Sequence, residues 1–174
     1  MLRIFAALLV AQGIPLCAES ADQGPLFVVQ QLFDAMRTHD GNAARSLFVP
    51  GAMLFSVRHD GTPDATSFGQ FADHIDSGKG VWLERIWNPK ILEHDSVAAV
   101  WAEYDFHLNG KFSHCGIDSF SLIKTSAGWK ITSVSDTRQK SGCAPSPLGA
   151  PCEVTTLLGY TLSSPNLCGY RHPF

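Results

Sequence analysis

The sequence predicts an α+β fold in which a curved antiparallel sheet wraps around N-terminal helices. Apolar residues recur at helical spacing early in the chain, and later stretches are rich in strand-forming residues. Two glycine-containing turns then fold the segment 98–138 back on itself. Helices that precede a run of antiparallel strands are typical of the α+β class.

Three helices are expected. The first begins at Pro25, which suits an opening helical turn, and its apolar spacing continues until the stop signal His39-Asp40-Gly41. A second, short helix is predicted from Ala43 to about residue 48. Apolar residues at helical spacing mark a third helix over 68–75, which Gly78 ends.

The predicted strands follow the helices. The segment 52–59 is rich in apolar and strand-forming residues and stops at the turn Asp60-Gly61. A long strand over 81–93 is interrupted at Asn88-Pro89, because proline lacks the backbone donor that the sheet needs, so a bulge or bend is expected there. The two hairpins come last and supply at least three long antiparallel strands.

The turn Asn109-Gly110 predicts the register of the first hairpin, since both central turn positions need positive φ. If Leu108 pairs with Lys111, side chains of the two strands alternate in step. His107 then faces Phe112, Asp105 faces His114, Glu103 faces Gly116 and Trp101 faces Asp118. One face would carry Trp101, Glu103, Asp105, His107, His114, Asp118, Phe120, Leu122 and Ile131, and the other Tyr104, Phe106 and Ile117.

Two histidines and three carboxylates on one patch of sheet are typical of a site if that face is concave, and of a solvated face if it is not. His114 and Asp118 lie deeper in their strand, where an unpaired ionisable group is costly, which favours a mutual or ligand-directed role. Trp101 is more often a core residue than a stacking platform. A single bulge in either strand would exchange the faces.

The N-terminus predicts export. A short basic start is followed by an apolar run over 4–10 that is too short to span a bilayer, and small residues follow at Ala18 and Ser20. We therefore expect a signal peptide over 1–20, and a mature protein that is periplasmic or secreted and not attached to a membrane. A lipoprotein signal at Cys17 is the weaker alternative, because the residue before it is not small.

Export makes disulfides the default for the four mature cysteines, Cys115, Cys143, Cys152 and Cys168. Three pairings are conceivable. If the strand 129–138 returns beside 112–124, its end lies near Cys115, which favours Cys115 with Cys143 and leaves Cys152 with Cys168. Zinc binding is disfavoured, because none of the cysteines shows the close spacing of zinc knuckles.

Composition limits the partners. The formal net charge is −3, with 13 basic and 16 acidic residues and no basic run, so a nucleic-acid partner is not expected. No phosphate loop, dinucleotide fingerprint or nucleophile elbow is present, and no cofactor is expected. A metal site made by Asp105, His107 and His114 is conceivable, but it is not favoured.

Five stretches of the sequence carry a resemblance to a known family: 82–89, 100–107, 112–118, Gly128-Trp129-Lys130-Ile131 and Gly142-Cys143. Together they resemble exported bacterial members of the nuclear transport factor 2-like superfamily, near its lumazine-binding and SnoaL-like branches. The resemblance covers about 25–143, giving a domain over 21–143 and a C-terminal extension over 144–174. It implies a cone-shaped fold, a pocket between the concave sheet face and the helices, and frequent dimerisation through the convex face. It implies no single activity.

We therefore expect an exported protein that binds a small apolar or aromatic ligand, with Trp101, Glu103, Asp105, His107 and Phe120 at the ligand. The alternative is an acid-base enzyme of the ketosteroid isomerase or SnoaL-like cyclase type, acting on a small apolar carbonyl compound with Asp118 or His114 as general base. SnoaL-like relatives commonly carry a histidine six residues after the Gly-Trp tryptophan, and Ser135 at that position lowers this alternative. A non-catalytic interaction domain ranks third.

Overall fold

The structure is a computed structural model that describes residues 23–57 and 61–151. Within these residues there are three helices, α1 (Pro25–Thr38), α2 (Gly41–Ser46) and α3 (Phe68–Asp76). The six strands are β1 (Phe48–Val57), β2 (Pro63–Ser67), β3 (Trp82–His94), β4 (Val97–Leu108), β5 (Lys111–Thr125) and β6 (Gly128–Asp136). The predicted signal peptide and the pair Cys152 and Cys168 lie outside the described residues.

The strands form one sheet in the order β2-β1-β6-β5-β4-β3, antiparallel throughout except for the parallel pair β1 and β6. The α+β prediction, with helices first and the long strands later, is confirmed. Strand β2 was not expected, and β1 begins four residues earlier than predicted, at Phe48.

The helices cover one face of the sheet, and the hydrophobic core lies between the helices and that face. Val29 and Phe33 of α1 and Ile75 of α3 are buried against Val100, Phe120, Leu122 and Ile131 of the sheet. Helix α3 begins with a capping box, in which the side chains of Ser67 and Gln70 satisfy free backbone groups. The face that the helices cover is called the inner face below, and the opposite one the outer face.

The turn Asn109-Gly110 has positive φ at both residues, and Leu108 pairs with Lys111 and His107 with Phe112, as predicted. The rest of the predicted register is wrong. A bulge adds one residue to β5, so that His114 pairs with Phe106, Cys115 with Asp105 and Asp118 with Ala102. Every later residue of β5 therefore faces the side opposite to the one expected relative to β4.

The expected irregularity at Asn88-Pro89 is present. The pairing of β3 with β4 shifts between Trp87 and Lys90, and Asn88 has a φ of 48°. The strand continues beyond this point to His94, so the proline bends β3 without ending it.

The chain beyond β6 returns across the outer face. Gln139 forms a bridge with Cys115, and the disulfide between Cys115 and Cys143 is present, as predicted. Gly116 permits the chain to pass close to β5 at Thr137, just before this crossing, since a Cβ atom there would collide with the carbonyl group of Thr137. We call residues 139–151 the outer segment.

Candidate functional site

A cavity of about 610 Å³ lies between the inner face of the sheet and helices α1 and α3. Most of its wall is apolar or aromatic, and its acidic and basic groups come from strands β3, β5 and β6, from α3 and from the segments that follow α3 and β6. The apolar and aromatic lining includes Leu32, Phe33, Met36, Leu54, Phe71, Trp82, Tyr104, Phe106, Phe120 and Val134. The acidic and basic lining consists of His74, Lys79, Glu84, His114, Asp118, Asp136 and Arg138.

Two carboxyl groups, those of Glu84 on β3 and Asp118 on β5, lie together in the cavity wall, where each alters the acidity of the other. Asp118 is 3% exposed, whereas Glu84 keeps some accessible surface because it borders the cavity. A hydrogen bond between two carboxyl groups needs a proton on one of them, since an ionised carboxylate only accepts. The two groups can therefore make a favourable contact only when at least one of them is protonated.

Burial is the main cause of the altered acidity of this pair. It raises the pKa of Glu84 from 4.5 to about 7, while the hydrogen bond with Asp118 opposes the rise. Burial, followed by the charge of Glu84 and their hydrogen bond, raises the pKa of Asp118 well above its ordinary value. The two groups titrate as a coupled pair, and both hold a proton to a higher pH than an exposed carboxyl group does.

An ion pair lies beside the two carboxyl groups. Arg138 Nε donates to Asp136 Oδ2 at 2.5 Å, and the Arg138 side chain is 58% exposed. The negative charge of Asp136 raises the pKa of both Glu84 and Asp118, and the positive charge of Arg138 lowers it. Arg138 thus offsets part of the repulsion, but its strongest interaction is with Asp136.

His114 lies next along β5 toward the hairpin turn. Its ring packs against Phe106 and edge-on against Tyr104, and its Nδ1 is 3.0 Å from Ser113 Oγ. Burial lowers the pKa of His114, so the imidazole is neutral near pH 7. The Tyr104 hydroxyl donates to the carbonyl of Thr137 at 2.9 Å, and burial raises its pKa. His114 and Tyr104 therefore present neutral groups to the cavity.

The predicted site residues divide between the two faces of the sheet. His114, Asp118 and Phe120 line the cavity. Trp101, Glu103, Asp105 and His107 do not, because the bulge in β5 puts them on the outer face. The prediction that all seven share one face is wrong. Tyr104 and Phe106, expected on a convex dimer surface, lie on the cavity side instead.

The outer-face residues form an ion-pair cluster of their own. Arg85 Nε and Nη2 donate to the two carboxylate oxygens of Asp105 at 2.8 and 2.6 Å, and His107 Nε2 lies 3.4 Å from the same carboxylate. Arg85 Nη1 also donates to the carbonyl of Gly149 in the outer segment, at 3.0 Å. Both partners of the ion pair are buried, at 4% and 5% exposure. This cluster therefore anchors the outer segment and has no contact with the cavity.

The other two outer-face residues lie further along β4. Trp87 Nε1 donates to a carboxylate oxygen of Glu103 at 2.9 Å. The Lys90 ammonium group lies 5.3 Å from the centre of the Trp101 ring, which is 39% exposed. Asp105, His107 and His114 do not form the metal site that was conceivable from the sequence, because His114 faces the cavity and the other two lie on the outer face. Among residues 23–57 and 61–151, no group of three or more His, Cys, Asp and Glu side chains could hold a metal ion.

Sequence reasoning missed Glu84, Asp136 and Arg138 as residues of the pocket. A signal for Glu84 was present: it alternates with the apolar residues Trp82 and Ile86 on a strand, so it occupies an inward position in an apolar stripe. A carboxyl group at such a position needs a partner or a function. Asp136 and Arg138 form an ion pair, and both line the cavity.

A second groove, of about 710 Å³, lies between α1 and α2. Asp34 is the one ionisable residue among the described residues that line it, and it is exposed and paired with Arg37 at 3.0 Å. The convergent chemical groups are therefore in the cavity, not in this groove. None of the described helices is sufficiently long and apolar to cross a membrane.

Comparison with known proteins gives matches at the level of structure. No family model and no curated protein matches the sequence. A nuclear transport factor 2-like protein of unknown function from Shewanella baltica superimposes with a TM-score of 0.53 and 19% identity, over 67% of this chain and 91% of that one. A protein from Novosphingobium aromaticivorans, provisionally named an aromatic ring hydroxylase, gives a TM-score of 0.54 and 18% identity, over 67% and 89%.

A third structure, provisionally named a dehydratase of the same family, comes from Streptomyces avermitilis. It gives a TM-score of 0.54 and 12% identity, over 66% of this chain and 93% of that one. The similarity in each case covers most of the other chain, and the names differ in the activity that they suggest. The order of helices and strands, the cavity between them and these similarities show that the chain has the nuclear transport factor 2-like fold.

Proposed function

We propose that this protein binds a small, largely apolar or aromatic molecule in the cavity between the inner face and the helices. The observation that carries this proposal is the cavity of about 610 Å³, in which an aromatic wall meets one group of ionisable side chains. Sites for small molecules are typically apolar concavities with a few convergent polar groups that fix the orientation of the ligand.

The buried acid supports a role in binding over a role in packing. Asp118 is 3% exposed, and its Oδ2 has no hydrogen-bond donor among the described residues. A buried polar atom without a partner costs about 1–3 kcal/mol of stability. Because an apolar residue would fill the same position without this cost, the position is better explained by a ligand than by the core.

Export remains part of the proposal. The disulfide between Cys115 and Cys143 fits an oxidising compartment, and the sequence predicts a signal peptide. The natural ligand would then be a molecule available in the periplasm or outside the cell.

The cavity can be tested by filling it. Leu54 lines the cavity, so Leu54→Trp should block it, whereas Leu92→Trp places the same side chain at a position on β3 that is 74% exposed. We expect ligand-observed NMR to detect binding of a naphthalene probe, either naphthalen-1-ylmethylamine or naphthalen-1-ylmethanol. The probe should bind to the wild type and to Leu92→Trp but not to Leu54→Trp. If neither probe binds the wild type, the proposed function is wrong.

An acid-base enzyme is the second candidate, and one observation favours it. The pKa of Glu84 is raised to about 7 beside Asp118, whose pKa is also raised, so one carboxyl group of the pair can accept a proton while the other donates a hydrogen bond. In this candidate Glu84 would be the base and Asp118 the acid, in place of the base expected at Asp118 or His114. Exchange of the α-hydrogen atoms of small aromatic ketones in deuterated buffer, followed by NMR, tests this candidate. Glu84→Gln should abolish any exchange that the wild type catalyses, and an equal rate in the two proteins would exclude it.

A further inference from the structure

The polar part of the cavity offers hydrogen-bond acceptors in excess of donors. Glu84 and Asp118 both line the cavity and have four carboxyl oxygens between them, each of which can accept hydrogen bonds when the group is ionised. Asp118 Oδ2 is buried and receives no donor from the described residues. A ligand whose carbonyl oxygen lay against these carboxyl oxygens would gain no hydrogen bond, because both groups are acceptors.

Two of the donors nearby are already engaged. Arg138 Nε donates to Asp136, and the Tyr104 hydroxyl donates to Thr137. The titratable and charged groups that face the pair are, by element, Tyr104 on β4, His114 on β5, Asp136 on β6, Arg138 after β6, and His74 and Lys79 from α3 and the turn that follows it. Asp105 acts on Glu84 from the outer face, through the sheet. None of these groups donates a hydrogen bond to Asp118 Oδ2.

Resting on the proposed function, we propose that the ligand carries a protonated nitrogen, as a primary amine or an amidine, on an aromatic or apolar body. Its N–H groups would donate to the free oxygens of Glu84 and Asp118, and its positive charge would offset the repulsion between the two acids. The aromatic rings of the wall suit both the apolar body and the cation, which is attracted to the faces of aromatic rings.

This ligand class predicts a coupling between binding and proton release. A cation binds the ionised carboxylate in preference to the acid, so binding displaces a proton. Because Glu84 ionises at about 7, about a tenth of the protein has the ionised group at pH 6 and about nine tenths at pH 8. The affinity for a cation should therefore rise about tenfold between these pH values.

Two probes of the same shape test the proposal. Naphthalen-1-ylmethylamine carries the cation, and naphthalen-1-ylmethanol is its neutral counterpart. Isothermal titration calorimetry with the oxidised protein, at several pH values and in two buffers of different ionisation enthalpy, gives the affinity and the number of protons released. We expect the amine to bind at least about tenfold more tightly than the alcohol at pH 8, with proton release at pH 7.

Matched variants locate the effect. Glu84→Gln and Asp118→Asn keep the shape of the side chains and should each weaken binding of the amine by about tenfold or more, with little change for the alcohol. Glu93→Gln removes the same charge from an exposed position of β3 and should change neither. Circular dichroism melts check that each variant is folded.

The outcomes separate the two proposals. Tighter binding of the alcohol, or binding of the amine without proton release, would overturn the assignment of a cationic ligand while leaving a ligand-binding cavity. Binding of neither probe would overturn both proposals. Unchanged binding of the amine in Glu84→Gln and in Asp118→Asn would also overturn the present one.

Discussion

The carboxyl pair makes the stability of the fold depend on pH in the direction opposite to that of most acidic residues. Burial raises the pKa of Glu84 from 4.5 to about 7. Below 4.5 the group is protonated in the folded and the unfolded chain. Between 4.5 and about 7 the folded chain keeps a proton that the unfolded chain releases, so the free energy of unfolding falls as the pH rises. Above about 7 this contribution is lost completely.

The size of the effect follows from the two pKa values. The difference between 4.5 and about 7 corresponds to about 3 kcal/mol, at about 1.36 kcal/mol per pKa unit. For a domain of this size, such a change moves the melting temperature by roughly 10 °C. Glu84→Gln removes the ionisation and should therefore be more stable than the wild type at about pH 8, by up to this amount.

Urea unfolding of the oxidised protein, at pH values from about 5 to 8, measures the effect. Burial lowers the pKa of His114, which has the opposite sign: it destabilises the fold as the pH falls below the ordinary value of 6.5. This contribution is present in both proteins and cancels in their difference. Glu93→Gln serves as the exposed control and should follow the wild type. Parallel pH profiles of the wild type and Glu84→Gln would refute the assignment of a raised pKa to Glu84.

Two further predictions concern the outer face. Replacing both Cys115 and Cys143 with alanine opens a loop of sequence separation 28 and should lower the free energy of unfolding by about 3–4 kcal/mol, which urea unfolding measures; a change below about 1 kcal/mol would contradict a stabilising bridge. Arg85→Met leaves Asp105 buried without its partner and should cost about 3–5 kcal/mol, while adding Asp105→Leu should restore most of the loss. An equally unstable double variant would show that the ion pair is not the cause.

Much of the fold could be predicted because its signals are local. The helical spacing after Pro25, the positive φ required at Asn109-Gly110 and the lack of a donor in Pro89 each act within a few residues. The parallel pairing of β1 with β6 could not be read in this way, since it joins strands about 80 residues apart in the chain.

The candidate site was harder to predict, because it depends on one extra residue. A bulge between His107 and Phe106 leaves the turn as predicted but exchanges the faces of all later pairs. No local preference around Ser113 announces it. Burial determines which residues face the interior: Val100, Ala102 and Tyr104 lie there together with Phe120. Asp105 then lies on the outer face, where it pairs with Arg85.

The disulfide braces the cavity from behind. His114 and Asp118 project from β5 into the cavity, while Cys115, between them in sequence, projects to the other side and is joined there to Cys143. A covalent bond outside the cavity thus anchors the strand that carries His114 and Asp118. The redox potential of the surroundings determines whether this disulfide forms. It therefore also affects how rigidly this wall of the cavity is held.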